Sequence, residues 1–219
     1  QTCALPICVV VMRVPVVLPT SHGDLHGVEV AAPDERGVIV VVHDLHRDLD
    51  EFGELPELLA RSGFTCIAID LPGHGLSEMD EIDKQRCVDS VRDAVRAALR
   101  GRQRVGLVAS GSMSTIGSIL GDDDGVSAQL LICPHLDDEI AAMGERTYAV
   151  RMVVHGEGPS LVGTETQRFF SPLIGEKLLV FNPSLLEGAD ALVASETLHT
   201  HVILFFQRYL NPTSRRPPA

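Results

Sequence analysis

Five residues from Ser110 to Ser114, SGSMS, could hold a serine hydroxyl in position to act as a nucleophile. An apolar β-branched run (Val105–Val108) precedes them, and a segment with helical spacing follows. A strand, tight turn and helix in this order lift the side chain at the apex above the carboxyl edge of a sheet, and small residues must flank that apex. The spacing S-x-S-x-S therefore predicts Ser112 as a nucleophile. The same serines would also suit an ordinary turn with a helix N-cap.

The overall composition limits the class of partner. The chain has 219 residues, 45% of them hydrophobic, which is enough for one domain with a sizeable core. Its 30 acidic and 18 basic residues give a net charge of −12, which argues against nucleic acid or an anionic membrane as a partner. Its five cysteines form no C-x-x-C pair, which favours free thiols in a reducing, cytoplasmic compartment. No apolar run approaches the length of a membrane span.

The two ends of the chain differ from the rest. The first seven residues, QTCALPI, read like the in-frame translation of a sequencing adaptor, so we expect residues 1–11 to be a non-native leader. Met12 is then the expected start of a single domain that covers residues 12–210. Residues 211–219, NPTSRRPPA, are basic and rich in proline and are expected to be a frayed tail.

Strand and helix patterns alternate along the domain. Continuous apolar runs at Gly37–Asp44 and Phe64–Pro72 predict strands that are buried on both faces. Helical spacing predicts helices over Asp50–Ser62 and Gln85–Leu99. Later strands are predicted over Ser127–Pro134, Ala149–Gly156 and Lys177–Asn182, and a closing helix over Ala194–Leu210. This alternation indicates an α/β fold with a mainly parallel, doubly wound sheet and helices on both faces.

Several histidines follow the predicted strands. In such sheets the ligand site lies at the carboxyl ends of the strands, and His43, His135 and His155 each stand at such an end. The spacing of His and Asp residues around His43 and His74 matches no metal-binding motif. We therefore predict no metal and no other cofactor.

The order of these elements resembles the α/β-hydrolase fold from Met12 to Leu210. The most specific part is Ile69–Ser77, IDLPGHGLS, because D-x-P-G-H-G-x-S after the second buried strand is frequent among esterase- and lipase-like members. The resemblance implies acyl transfer by a serine, a histidine and an acid, with two backbone N–H groups that hold the oxyanion. It implies Ser112 as the nucleophile and the N–H groups of Leu45 and Met113 as the oxyanion hole.

Two members of the implied triad depart from the family pattern. The position of the acid holds Gly158, and the position of the base holds Ala191. A rewired triad would take His135 as the base and Asp138 as the acid, because both follow the strand next to the elbow strand. His199 in the closing helix is an alternative base. A base must lie within hydrogen-bond reach of the serine hydroxyl.

The oxyanion region and the site entrance also differ from the family. The usual His-Gly after the first buried strand is His43-Asp44 here, which brings a carboxylate beside a pocket that should stabilise negative charge. The chain between Pro134 and Ala149 is too short for a helical cap domain. We therefore expect an open site that favours small, accessible substrates.

Two functions follow from these observations. The first is a serine ester or acyl hydrolase that acts on a small-molecule substrate through Ser112. The second is a catalytically inactive protein of the same fold that binds a small molecule or a protein partner at the former active site. The intact serine favours the first, and the missing acid and base favour the second.

Overall fold

A computed structural model describes residues 11–77, 82–101, 104–156, 161–182, 189, 192 and 195–210. Eight strands form one sheet: β1 (Arg13–Thr20), β2 (Gly23–Val30), β3 (Gly37–Val42), β4 (Phe64–Ile69), β5 (Val105–Ser110), β6 (Val126–Ile132), β7 (Val150–Gly156) and β8 (Lys177–Asn182). Their order across the sheet is β1-β2-β4-β3-β5-β6-β7-β8. The pairs β1–β2 and β2–β4 are antiparallel, and all later neighbours are parallel. The predicted mainly parallel sheet is confirmed.

Within the described stretches, six α-helices flank the sheet: α1 (Leu55–Arg61), α2 (Lys84–Ala98), α3 (Ile116–Ile119), α4 (Asp138–Ala142), α5 (Leu161–Phe170) and α6 (Glu196–Leu210). Apolar residues of α2 to α5 share a buried cluster on one face of the sheet. Those of α1 and α6 share a second cluster on the other face. Because β3 to β7 are covered on both sides, their runs of valine, isoleucine and leucine have little contact with solvent. The doubly wound arrangement is confirmed.

Local sequence explains how two of these helices begin. The Asp83 carboxylate accepts the N–H groups of Gln85 and Arg86 and so caps α2. The helix predicted over Asp50–Ser62 is divided instead into a 3₁₀ turn, Leu49–Phe52, and α1. Gly53 separates them because its φ of +51° interrupts the helical backbone.

The carboxyl ends of β3, β5 and β6 lie side by side near the middle of the sheet. The connection from β6 to β7 contains only the five-residue helix α4, as expected for a fold without a cap at this position. The candidate leader (except Val11) and the candidate tail lie outside the described residues. Among the described helices, none combines the length and apolar character that a membrane crossing requires.

A buried arginine joins several elements at the opposite, amino-terminal end of β7. Arg151 is only 1% exposed, and burial lowers the pKa of its guanidinium to about 10. The guanidinium donates to the side-chain oxygen of Gln129 and to the carbonyl groups of Gly117, Thr147, Ala149 and Ile174. One side chain thereby satisfies acceptors on α3, β6 and the segments before β7 and β8.

Candidate site at the carboxyl edge of the sheet

The turn after β5 has its unusual backbone conformation at Gly111, one residue before Ser112. Gly111 has φ +52°, a left-handed value that favours glycine. In a nucleophile elbow the strained position is that of the nucleophile itself. The residue at the apex, defined by this positive φ, is therefore Gly111.

The carboxylate of Asp44 occupies the space above this glycine. Asp44 follows β3, which pairs with β5. Its Oδ1 atom accepts two backbone N–H groups, from Leu45 at 2.8 Å and from Ser112 at 2.9 Å. A Cβ atom on Gly111 would lie 2.6 Å from each carboxylate oxygen. Asp44 thus fills the place of a nucleophile side chain.

The two N–H groups that converge on Asp44 are arranged like the donors of an oxyanion hole. In this fold the hole is formed by the residue after the nucleophile position and by the loop after β3. Leu45, one of the two predicted donors, lies in the loop after β3 and donates to Asp44. The other N–H group on Asp44 is that of Ser112, which follows Gly111, and not that of Met113, the second predicted donor. Met113 is instead fully buried in the core.

One signal in the sequence could have located the apex. Gly111 is the only glycine in the SGSMS stretch, and a positive φ in a tight turn is most easily adopted by glycine. The interpretation as S-x-S-x-S followed the spacing of the serines and placed the apex one residue too late. With the apex at Gly111, Ala109 and Met113 take the two flanking positions.

A second carboxylate, that of Glu51, supports this arrangement. Its Oε2 atom accepts the hydroxyl of Ser110 at 2.7 Å and the N–H of Asp44 at 2.9 Å. Burial raises the pKa of Glu51, and these two hydrogen bonds offset part of that rise. Nothing in the spacing of Glu51 along the chain predicts its contact with Ser110, so the sequence alone does not identify this residue.

His43 at the end of β3 is a fully buried structural group. Its Nδ1 lies 2.7 Å from the carbonyl oxygen of Asp44, and its Nε2 accepts the N–H of Leu71 at 3.0 Å. A carbonyl can only accept and an amide N–H can only donate, so the ring is neutral with its proton on Nδ1. Burial lowers the pKa of His43, consistent with this neutral form.

We expect His43 to make the fold sensitive to mild acid. In the unfolded chain the imidazole takes up its second proton with a pKa near 6.5, whereas in the folded state burial lowers this pKa. The contribution of His43 to the free energy of unfolding is therefore complete above pH 6.5. It falls as the pH drops toward the pKa of the folded state, by up to about 2 kcal/mol between pH 6.5 and pH 5.

The measurement is the free energy of unfolding of the wild type and of His43→Gln across this pH range. Glutamine does not titrate, so the variant should start less stable and lose less stability on acidification. Burial also lowers the pKa of His155, and it raises the pKa of Glu51, which acts on stability in the opposite direction. Both groups are present in the two proteins, so their contributions cancel in the difference between wild type and His43→Gln. Parallel pH curves for the two proteins would contradict the assignment.

The motif DLPGHGLS builds a turn beside the site. The Asp70 carboxylate accepts N–H groups from Leu49 and Leu76. Gly75 has φ +52° and lies directly against that carboxylate, so a side chain there would overlap it. The hydroxyl of Ser77 donates to the carbonyl of Asp70 at 2.7 Å. These residues hold the loop after β4 in place.

Within the described residues, no group of three or more His, Cys, Asp or Glu is arranged to hold a metal ion.

The residues of the predicted triad lie on separate elements. His135 is exposed, and its backbone N–H donates to the carbonyl of Gly111 at 3.1 Å. Asp138 is the exposed first residue of α4, and His199 lies half-buried in the first turns of α6. In the described part of the chain, no hydrogen bond links the Ser112 hydroxyl to an imidazole. The family positions at Gly158 and Ala191 lie outside the described residues.

The sheet order and the turn after β5 are those of the α/β-hydrolase fold. The model of a family described as serine aminopeptidase, S33, matches residues 33–111. That match begins just before β3 and ends at Gly111. No curated protein matches the chain in sequence.

Solved structures of hydrolases share this fold at low sequence identity. A dienelactone hydrolase from Anabaena variabilis superposes with a TM-score of 0.71 at 15% identity, covering 91% of this chain and 98% of that one. The esterase Pf2001 from Pyrococcus furiosus gives 0.71 at 13% identity, with coverages of 91% and 93%. The α/β hydrolase GrgF from a Penicillium species gives 0.73 at 13% identity, with coverages of 91% and 99%. The chain is therefore hydrolase-like in fold.

Proposed function

We propose that this chain is a ligand-binding protein with the α/β-hydrolase fold that does not use a serine nucleophile. The observation that carries the proposal is the position of the Asp44 carboxylate. One of its oxygens takes both N–H groups that an acyl-transfer enzyme keeps free for the oxyanion. The same carboxylate stands where the nucleophile side chain would stand, above Gly111.

The polarity of the site indicates the chemistry of the ligand. An empty oxyanion hole attracts negative charge, whereas this one already holds a carboxylate. The second oxygen, Oδ2, has no hydrogen-bond partner among the described residues, and Asp44 is partly exposed. A small molecule with an ammonium group or another hydrogen-bond donor fits this acceptor, whereas a small molecule with a carboxylate would be repelled.

The first test is labelling with a fluorophosphonate, which reacts with activated serines. We expect no labelling of the wild type or of Ser112→Ala under conditions in which an ordinary serine esterase is labelled completely. The same proteins are then titrated with a small alkylammonium and a small carboxylate, followed by amide NMR shifts. The alkylammonium should shift the Leu45 and Ser112 signals in the wild type and have little effect in Asp44→Asn. Labelling that disappears in Ser112→Ala would overturn the proposal.

A second candidate is hydrolysis of small, accessible esters through Ser112. It is supported by the half-buried Ser112 hydroxyl, which has no hydrogen-bond partner among the described residues, and by the hydrolase-like fold. The base would be His135, with Asp138 as the acid, or His199. Labelling that depends on Ser112 and is lost in His135→Ala or in His199→Ala would favour this candidate and identify the base.

A further inference from the structure

The strand β8 forms one edge of the sheet that the described residues build. It pairs with β7 in parallel, and no other strand in the described part of the chain pairs with it. An edge strand presents a row of backbone N–H and C=O groups that can pair with another chain. Proteins commonly block such edges with prolines, charges or bulges.

The opposite edge of the sheet carries such a block, and β8 does not. The other edge strand, β1, contains Pro15 and Pro19, which have no N–H to offer to an added strand. The sequence of β8, KLLVFN, has no proline, and its pairing with β7 runs without a register shift. Its one lysine, Lys177, donates to the carbonyls of Phe170, Ser171 and Leu173 at the end of α5. That ammonium therefore does not guard the edge.

Large apolar side chains are exposed on both faces of this edge. Leu178 is 51% exposed on the face that carries α6, and Phe181 is 61% exposed on the other face. Leu204 of α6 is 56% exposed beside Leu178, and the two line an apolar groove of about 370 Å³. The edge therefore exposes apolar side chains on each face that a second chain added to β8 would cover.

The charges near β8 allow two copies of an acidic chain to meet there. Each copy has a net charge of −12. The charged residues in the described stretches 171–182 and 200–210 are Glu176, Lys177 and Arg208. Together they do not add to the negative net charge of the chain. Glu176 accepts the hydroxyl of Tyr209, so its carboxylate is held against α6. Repulsion between copies is therefore smaller at this edge than over most of the surface.

We propose that two copies of the chain associate through their β8 strands, antiparallel about a two-fold axis at Leu179. This register keeps each face of the sheet continuous across the axis. It places Leu178 opposite Val180 of the second copy, and Lys177 opposite Phe181 of the second copy. The pairs nearest the axis, Leu179 with its own copy and Leu178 with Val180, are then apolar with apolar, which stabilises paired strands. The groove beside Leu204 meets its symmetry mate and is closed by it.

Sedimentation velocity over a wide concentration range tests the association. We expect a species of twice the 23.6 kDa chain mass that dissociates on dilution. Leu178→Lys should weaken association by about tenfold or more, since it buries a charge in the interface. Val17→Lys, at a β1 position that is 52% exposed, is the matched control and should leave association unchanged. A monomer at every concentration, or equal effects of the two lysines, would overturn the proposal and leave the groove to another occupant.

Cross-linking tests the register without relying on a destabilising change. At the axis the two copies of residue 179 face each other with Cα atoms about 4.5–5.5 Å apart, which a disulfide can span. Leu179→Cys should therefore form a covalent dimer under mild oxidation, above the level of the parent chain. Leu178→Cys faces position 180 of the second copy and should not. More cross-linking at position 178 than at position 179 would rule out the proposed axis.

Discussion

Replacing Arg151 with methionine is expected to lower the free energy of unfolding by about 3–5 kcal/mol. Methionine fills much of the same volume, but it leaves the buried acceptors of four carbonyl groups and of Gln129 without their donor. An unsatisfied buried polar group costs more than the net gain from the hydrogen bond it loses. Urea unfolding, with a check that the slope of the transition is unchanged, measures this loss.

Two other arginine variants separate this effect from a general loss of positive charge. Arg151→Lys keeps the charge but cannot reach all the acceptors with one ammonium, so it should lie between wild type and Arg151→Met. Arg96→Met removes a guanidinium that is 69% exposed and pairs with Asp93, and it should change stability by less than about 0.5 kcal/mol. If Arg151→Met were as stable as Arg96→Met, the guanidinium would not be holding these elements together.

The second large effect is expected at the apex of the elbow. Gly111→Ala should cost about 2–4 kcal/mol, since it combines a left-handed φ with a direct overlap between the new Cβ and the Asp44 carboxyl group. Gly101 provides the matched control. Its φ is +75°, and nothing lies within 4 Å of the position of a Cβ, so Gly101→Ala should show only the backbone cost of about 1–2 kcal/mol.

A double-mutant cycle isolates the contact with Asp44. In the background of Asp44→Gly the overlap is removed, and Gly111→Ala should cost no more than Gly101→Ala. The coupling energy between positions 44 and 111 should therefore be about 1 kcal/mol or more. Additive effects would show that the Asp44 carboxylate does not occupy the space above the elbow. The cycle tests, through stability alone, the same geometry on which the proposed function depends.

Most of the fold could be predicted from the sequence, because each element has a local cause. The β-branched runs of β3 and β4 and the apolar spacing of α2 are periodic patterns that a single stretch of chain reveals. The differences are local as well. One glycine, Gly53, ends a 3₁₀ turn inside the predicted first helix.

The sequence by itself determined the α/β class and the order of its strands and helices. Only the tertiary structure decided which residue takes the positive φ in the turn after β5 and which carboxylate lies above it. Asp44 and Ser112 are 68 residues apart, and Glu51 and Ser110 are 59 residues apart. Their contacts exist because β3 and β5 are neighbours and because the backbone turns at Gly111, and no local pattern records either fact.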